Sequence, residues 1–151
     1  SNVLLDAGFE ARITDFGLAR RVDSSRSHVS TQVAGTLGYM PPEYRDGVTA
    51  ATAKADAYSF GVLLFEVAAG RRPNLPVAAG EGGKEVTLVR WARGAVEAGK
   101  GGDILDPLME KGGVTEEQEV KGYLDVAHRC TADYPKDRPA MREVVSLLNH
   151  L

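Results

Sequence analysis

The sequence predicts a mainly α domain in which a short β-hairpin leads into a helical bundle. Two short β-like runs, Val3 to Leu5 and Ala11 to Thr14, open the chain. They are joined by Asp6 to Glu10, whose Asp and Gly suit a hairpin loop. After Pro42 the apolar residues recur at helical rather than strand spacing. No internal repeat or second domain interrupts this pattern.

Composition sets the outer bounds. At 151 residues the chain is of single-domain size and long enough to bury a core. Its 43% hydrophobic and 26% charged content is that of an ordinary globular protein. A net charge of -3 gives no basic excess, so nucleic acid is not an expected partner. Cys130, the single cysteine, has no partner for an internal disulfide and falls in an apolar helical pattern, as a buried packing residue would. The longest apolar run, Phe60 to Ala69, is broken by Gly61 and Glu66 and is too short to span a bilayer. The chain opens on Ser1 rather than on Met, and is expected to be a fragment of a longer protein.

From Gly17 to Gly38 no periodicity is sustained, and a loop that long is usually functional or disordered. Asp56 to Ala69 is apolar on nearly all sides, the pattern of a helix buried all round, with Gly70 and Pro73 as stop signals. Leu75 to Lys84, rich in Gly, Ala and Pro, is expected to be an exposed loop. Val86, Val89, Ala92 and Val96 give the next helix, widened by Leu88 and Trp91 and closed by Gly99, Gly101 and Gly102. Thr115 to Gln118 has the form of a capping box, followed on one face by Val120, Tyr123, Leu124, Ala127 and Cys130. Pro139 suits the first turn of a last helix, whose inner stripe is expected to be Met141, Val144, Val145, Leu148 and Leu151.

The chemistry-bearing residues cluster around the long loop. Asp15-Phe16-Gly17 stands where the second β-like run ends. A carboxylate at a strand end can reach into a cleft to hold a metal; the Gly allows a sharp turn and the Phe can pack beneath as a plug. Roughly one chain in fifty of this length contains the tripeptide by chance, so alone it says little. Asn2, on the first run, adds a hard neutral oxygen suited to Mg²⁺. Downstream, Gly35-Thr36-Leu37-Gly38-Tyr39-Met40-Pro41-Pro42-Glu43-Tyr44 closes the loop. The histidines show no metal-ligand spacing, and a zinc site is not expected.

Together these residues resemble the protein kinases. Asn2 matches the catalytic-loop Asn, Asp15-Phe16-Gly17 the DFG motif, and Pro41-Pro42-Glu43 the APE motif in a Pro-Pro-Glu form. Asp56-Ala57-Tyr58-Ser59-Phe60-Gly61 is similar to the family's entry to its central buried helix. Arg138, in Lys136-Asp137-Arg138-Pro139, matches the Arg that pairs with the APE Glu. Five motifs in the family's order cover residues 2 to 139, far beyond coincidence. Gly35-Thr36-Leu37-Gly38-Tyr39 is similar to the serine/threonine type. The run from Ser30 through Thr36, with Leu88-Val89-Arg90-Trp91, Leu105-Asp106-Pro107 and Cys130-Thr131, resembles plant receptor-like kinases of the leucine-rich-repeat type.

The resemblance implies a C-lobe, residues 1 to 151, running from the catalytic-loop Asn to the last helix, with the N-lobe absent. It implies ATP and Mg²⁺ as cofactors of the complete domain. Asn2 and Asp15 would hold the metal, and Leu4, Asp15, Phe16 and Gly17 would face the nucleotide, with Leu63 and Val67 supporting Leu4. Thr36 and Gly38 would shape the floor for a substrate Ser or Thr. Glu43 and Arg138 would form a partly buried ion pair. Asp56, otherwise a costly buried carboxylate, would organise the catalytic loop. Ser27, Ser30, Thr31 and Thr36 are phosphorylation candidates, since a phosphate can order a loop against arginine.

The implied partners are a protein substrate carrying Ser or Thr, the N-lobe of the parent kinase and co-receptor kinases. The implied location is the cytoplasmic side of the plasma membrane. The catalytic-base Asp, the Gly-rich loop and the phosphate-binding Lys have no match in the chain, and the base would lie just upstream of Ser1. The chain alone is therefore expected to show no transfer activity and at most very weak Mg-ATP affinity. The alternative reading is a non-catalytic, pseudokinase-like or truncated interaction module. Intact Asn2, Asp15 and Gly17 favour catalysis, because a silent lobe has no chemical need for all three.

Overall fold

The structure, a computed structural model, describes residues 2–21, 29–30, 35–45, 50–79, 83–111 and 117–151. The opening hairpin forms as expected: β1 (Val3–Leu5) pairs antiparallel with β2 (Ala11–Ile13) in the register Val3↔Ile13, Leu4↔Arg12, Leu5↔Ala11. Its loop is tied by the Asp6 side chain, which accepts hydrogen bonds from the backbone N–H of Gly8 at 2.9 Å and of Glu10 at 3.1 Å. A two-residue ribbon follows, β3 (Val29–Ser30) with β4 (Ala50–Ala51), on either side of α1 (Pro42–Arg45).

The body is built on α2 (Ala53–Ala69). It starts three residues before Asp56, because Thr52 caps it: the Thr52 hydroxyl accepts from the Ala55 N–H at 3.0 Å. Gly70 ends it in the left-handed conformation, at φ 59°. Its long middle is buried, with Ala57, Val62 and Phe65 at 0% exposure. Val67, expected to be internal, is 57% exposed. Residues 75 to 84 are not a plain loop: β5 (Val77–Ala79) and β6 (Lys84–Val86) form a third antiparallel ribbon, and Val77 joins the core at 4% exposure.

Helix α3 (Leu88–Glu97) therefore begins after Val86, capped by the Thr87 hydroxyl, and a 3₁₀ turn (Gly101–Ile104) and α4 (Pro107–Lys111) follow. Helix α5 (Glu117–Cys130) lies against α2 across the main helix–helix contact of the body. Gly61 makes that approach possible. A Cβ there would sit 2.6 Å from Cys130 Cβ and 3.0 Å from the Ala127 carbonyl oxygen. Cys130 is fully buried, and burial pushes its thiol up to about 11. Thr115, the proposed start of the capping box, lies outside the described residues.

The last helix, α6 (Met141–Leu148), starts later than Pro139 suggests; Ala140 is its N-cap and Pro139 is the residue before it. Its inner side holds Val144 at 0% exposure, with Met141, Leu147 and Leu148 partly buried. Met141, Val144 and Leu148 are thus inner as the stripe had them, whereas Val145 (54% exposed) is not, and Leu151 lies beyond the helix with its side chain against Gly122. Among the described residues no helix is long and apolar enough to cross a membrane.

Candidate functional site

The hairpin register places Asn2 beside the end of β2. The Asn2 carbonyl accepts the Thr14 N–H at 2.9 Å, which extends the ladder one step past Val3↔Ile13. Asp15 is the next residue, and the Asn2 amide Nδ2 donates to its carboxylate Oδ2 at 3.2 Å. Asp15 adopts φ 63°, a left-handed conformation that Asp tolerates better than most side chains and that is common where function constrains the backbone. The turn expected at Gly17 is present, closed by the Ala19 N–H donating to the Phe16 carbonyl at 3.0 Å, and the left-handed residue of the motif is Asp15. Gly17 has an ordinary φ, and a Cβ on it would meet nothing closer than 3.5 Å.

One amide oxygen and one carboxylate side by side fit a hard divalent cation. Mg²⁺ commonly takes only one or two protein carboxylates and completes its shell with phosphates and water. The Asn2–Asp15 bond engages the Asn2 amide nitrogen and leaves its oxygen for a ligand. Asn2 and Asp15 are the residues that would hold the metal.

The apolar residues expected around a nucleotide are present at this edge but uncovered. Leu4 is 56% exposed, and Phe16, expected to plug the site from beneath, is 68% exposed. Leu5 (59%) and Ile13 (71%), on the hairpin face opposite Leu4, and Leu18 (65%) are exposed as well, so the described residues leave this edge open on both faces. Leu63 is half-buried in α2.

The end of the long loop is held firmly. Glu43, on α1, meets Arg138 through two bonds, Nη1–Oε1 at 2.7 Å and Nη2–Oε2 at 2.6 Å. The Arg138 guanidinium also donates to the carbonyls of Ala132, Lys54 and Asp133 at 2.8, 3.0 and 3.0 Å. It lies 4.9 Å from the centre of the Tyr58 ring. Every N–H of a fully buried cation is thereby used, the condition under which a buried ion pair is tolerated. Lys54 adds a bond from its ammonium to the Arg138 carbonyl. Lys54 and Tyr58 were not legible as members of this network, because only the fold brings residues 54, 58 and 138 together.

Gly38 has φ 97°, and a Cβ there would be 3.0 Å from the Asn74 nitrogen and the Pro73 carbonyl carbon, so only glycine fits. Thr36 is exposed beside it. Asp56, expected to be buried, sits in the first turn of α2 with its side chain open to solvent, although partial desolvation still raises its pKa. Of the phosphorylation candidates, Ser27 and Thr31 lie outside the described residues, and Ser30 is placed only as part of β3.

The described residues therefore show a hairpin bearing a paired Asn and Asp, an α1 tied through Glu43 to Arg138, and a buried central helix. The family model described as "Protein kinase domain" matches residues 1–148, and the chain belongs to that family. It is similar to two leucine-rich repeat receptor protein kinases. MSP1 of Oryza sativa subsp. japonica is 46% identical over 96% of this chain, and EMS1 of Arabidopsis thaliana is 43% identical over 100%. A receptor-like serine/threonine-protein kinase of Arabidopsis thaliana is 43% identical over the whole chain. The chain spans only 11%, 12% and 41% of these relatives' respective lengths.

Proposed function

We propose that the chain is the helical lobe of a serine/threonine protein kinase that transfers the ATP γ-phosphate to protein Ser or Thr in signalling. The carrying observation is the 3.2 Å contact between Asn2 and Asp15 at the open end of the hairpin. These two side chains would hold Mg²⁺, which when bound neutralises phosphate charge as the γ-phosphoryl group is transferred. The chain's own part is positioning. Asp15 is aimed by its left-handed backbone, and the segment from Gly35 to Glu43 is fixed at its end by Arg138, leaving Thr36 exposed for the incoming hydroxyl.

The apolar hairpin edge supports a second element of this reading. Leu4 on one face of the hairpin, Ile13 on the other, and Phe16 and Leu18 after it are exposed apolar side chains suited to contact with the N-lobe of the parent kinase and with the nucleotide between the lobes. Similarity to leucine-rich repeat receptor kinases supports placing the parent at the plasma membrane, with this lobe on the cytoplasmic side and co-receptor kinases among its partners.

The test is Asp15→Asn in the complete kinase domain. It is expected to lower phosphate transfer to casein by at least about a hundredfold with little change in melting temperature. An unchanged rate would remove Asp15 from the metal site. A complete wild-type domain that transfers nothing to Ser or Thr would favour the interaction-module reading.

A further inference from the structure

We propose that Arg93 is a positioning residue: reaching across from α3, it caps the last turn of α5 and so sets the backbone carbonyls that hold Arg138 against Glu43. The proposal rests on the reading of the stretch that ends at Glu43 as the substrate platform.

The end of α5 shows why a cap is needed. A helix leaves its last carbonyls without N–H partners of its own. Here the Ala127 carbonyl is met by the Thr131 N–H at 3.1 Å, and the Arg129 carbonyl by the Ala132 N–H at 3.3 Å. The His128 carbonyl between them accepts from Arg93 Nη1 at 2.7 Å. The same nitrogen lies 3.3 Å from the hydroxyl of Thr131, which is fully buried and donates in turn to the Ala127 carbonyl at 2.9 Å. A cation at this end also opposes the negative pole of the helix dipole.

What the cap fixes comes next in the chain. The carbonyls of Ala132 and Asp133 directly follow Thr131, and they accept from Arg138 Nε at 2.8 Å and Nη2 at 3.0 Å. The Arg138 side chain is fully buried, so a displaced carbonyl strands a donor that no water can reach. Glu43 takes the other donors of the same guanidinium. A contact made by α3 thus reaches α1 through the end of α5 and Arg138.

Arg93 is itself aimed. Glu97, one turn along α3, stands 3.6 Å from Arg93 Nη2 and 3.0 Å from His128 Nε2. The bond with His128 holds the Glu97 carboxyl below its ordinary range, so this partner stays charged at physiological pH. Glu97 is more than half exposed, and such pairs contribute little. The bond to the His128 carbonyl carries the coupling.

The complete kinase domain, with casein as phosphoacceptor, tests it well below the melting temperature. Arg93→Met is expected to raise KM for casein about fivefold, while KM for ATP stays within about twofold. Arg93→Lys keeps a donor for the His128 carbonyl and should stay within about twofold of wild type, as should Glu97→Gln. In a Glu43→Gln background Arg93→Met should add less than about twofold, because the route through Arg138 is already cut. Hydrogen exchange at the Arg138 Nε–H, read by NMR, reports the coupling without activity. It should be about tenfold faster in Arg93→Met and within about twofold of wild type in Glu97→Gln.

Unchanged exchange at Arg138 in Arg93→Met overturns the coupling. So does an equal effect on KM for casein in the Glu43→Gln background, or a parallel loss for casein and ATP, which marks a plain helix cap. Thr36→Val separates the underlying reading: if it leaves casein phosphorylation untouched, the platform itself is wrong. If it impairs phosphorylation while Arg93→Met does not, only the role of Arg93 falls.

Discussion

The hairpin edge and the helical body of this chain are built on opposite terms. The body buries Val62, Phe65, Leu124, Ala127, Cys130 and Val144 almost completely and encloses a cation, Arg138, with every donor used. The edge leaves Leu4, Ile13 and Phe16 more than half exposed and relies on short-range bonds such as Asn2–Asp15 and Thr14–Asn2. The residues proposed to do chemistry sit on the thinly held edge, and the residues that hold the fold sit elsewhere. Stability and catalysis should therefore respond to different substitutions.

The sharpest way to break that contrast is Arg138→Met. Removing one partner of a buried pair leaves Glu43 uncompensated, and a loss of about 3–5 kcal/mol in urea unfolding is expected. The Glu43→Gln/Arg138→Met double variant should recover part of it, because no charge is then stranded; no recovery would show that packing, not charge, carries the effect. Next comes Gly61→Val, which forces side-chain atoms into the space held by Cys130 and Thr131. An expected loss of about 1–3 kcal/mol would fall short if α2 and α5 could move apart.

A smaller, pH-dependent effect belongs to Tyr123, whose hydroxyl donates to the Leu64 carbonyl at 3.1 Å. Burial raises its pKa from 10.0 to about 12, so the folded state favours the neutral phenol. Its contribution is complete below pH 10 and is lost as pH rises toward about 12. Tyr123→Phe should flatten the alkaline fall in melting temperature over that window, and an unchanged slope would exclude Tyr123 as its cause. The smallest stability effect is expected at the edge: Asp15→Asn should change unfolding by no more than about 0.5 kcal/mol. A larger change would mean that edge and body are not independent.

How far the chain could be read before folding follows the same division. Strand pairing over a short loop is local, so the hairpin, and with it the approach of residue 2 to residue 15, was available from alternation and turn residues alone. The Glu43–Arg138 correspondence was available only through the order of motifs, because 95 positions separate the two. The inner side of α6 was misread at Val145, and Leu75 to Lys84 was misread as a loop. For α6 the deciding contact comes from α5, of which single-sequence periodicity carries no record; the β5–β6 pairing is local, but a Gly-, Ala- and Pro-rich composition carries no strand signal. Phe16 was read as a plug, yet no amount of hydrophobicity covers a residue that the described fold leaves at its edge.

By itself, then, the sequence determined the stop of the central helix at Gly70, the hairpin that aligns Asn2 with Asp15, and the family through its ordered motifs, whereas the helix starts at Thr52 and Thr87 emerged only in the structure. Tertiary structure alone decided that Arg93 reaches the His128 carbonyl, that Lys54 and Tyr58 join Arg138, and that Gly61 admits Cys130. The first set depends on hydrogen bonds and side-chain periods within a few residues. The second depends on which surfaces meet once α2 is buried, and that is fixed by packing the whole chain at once.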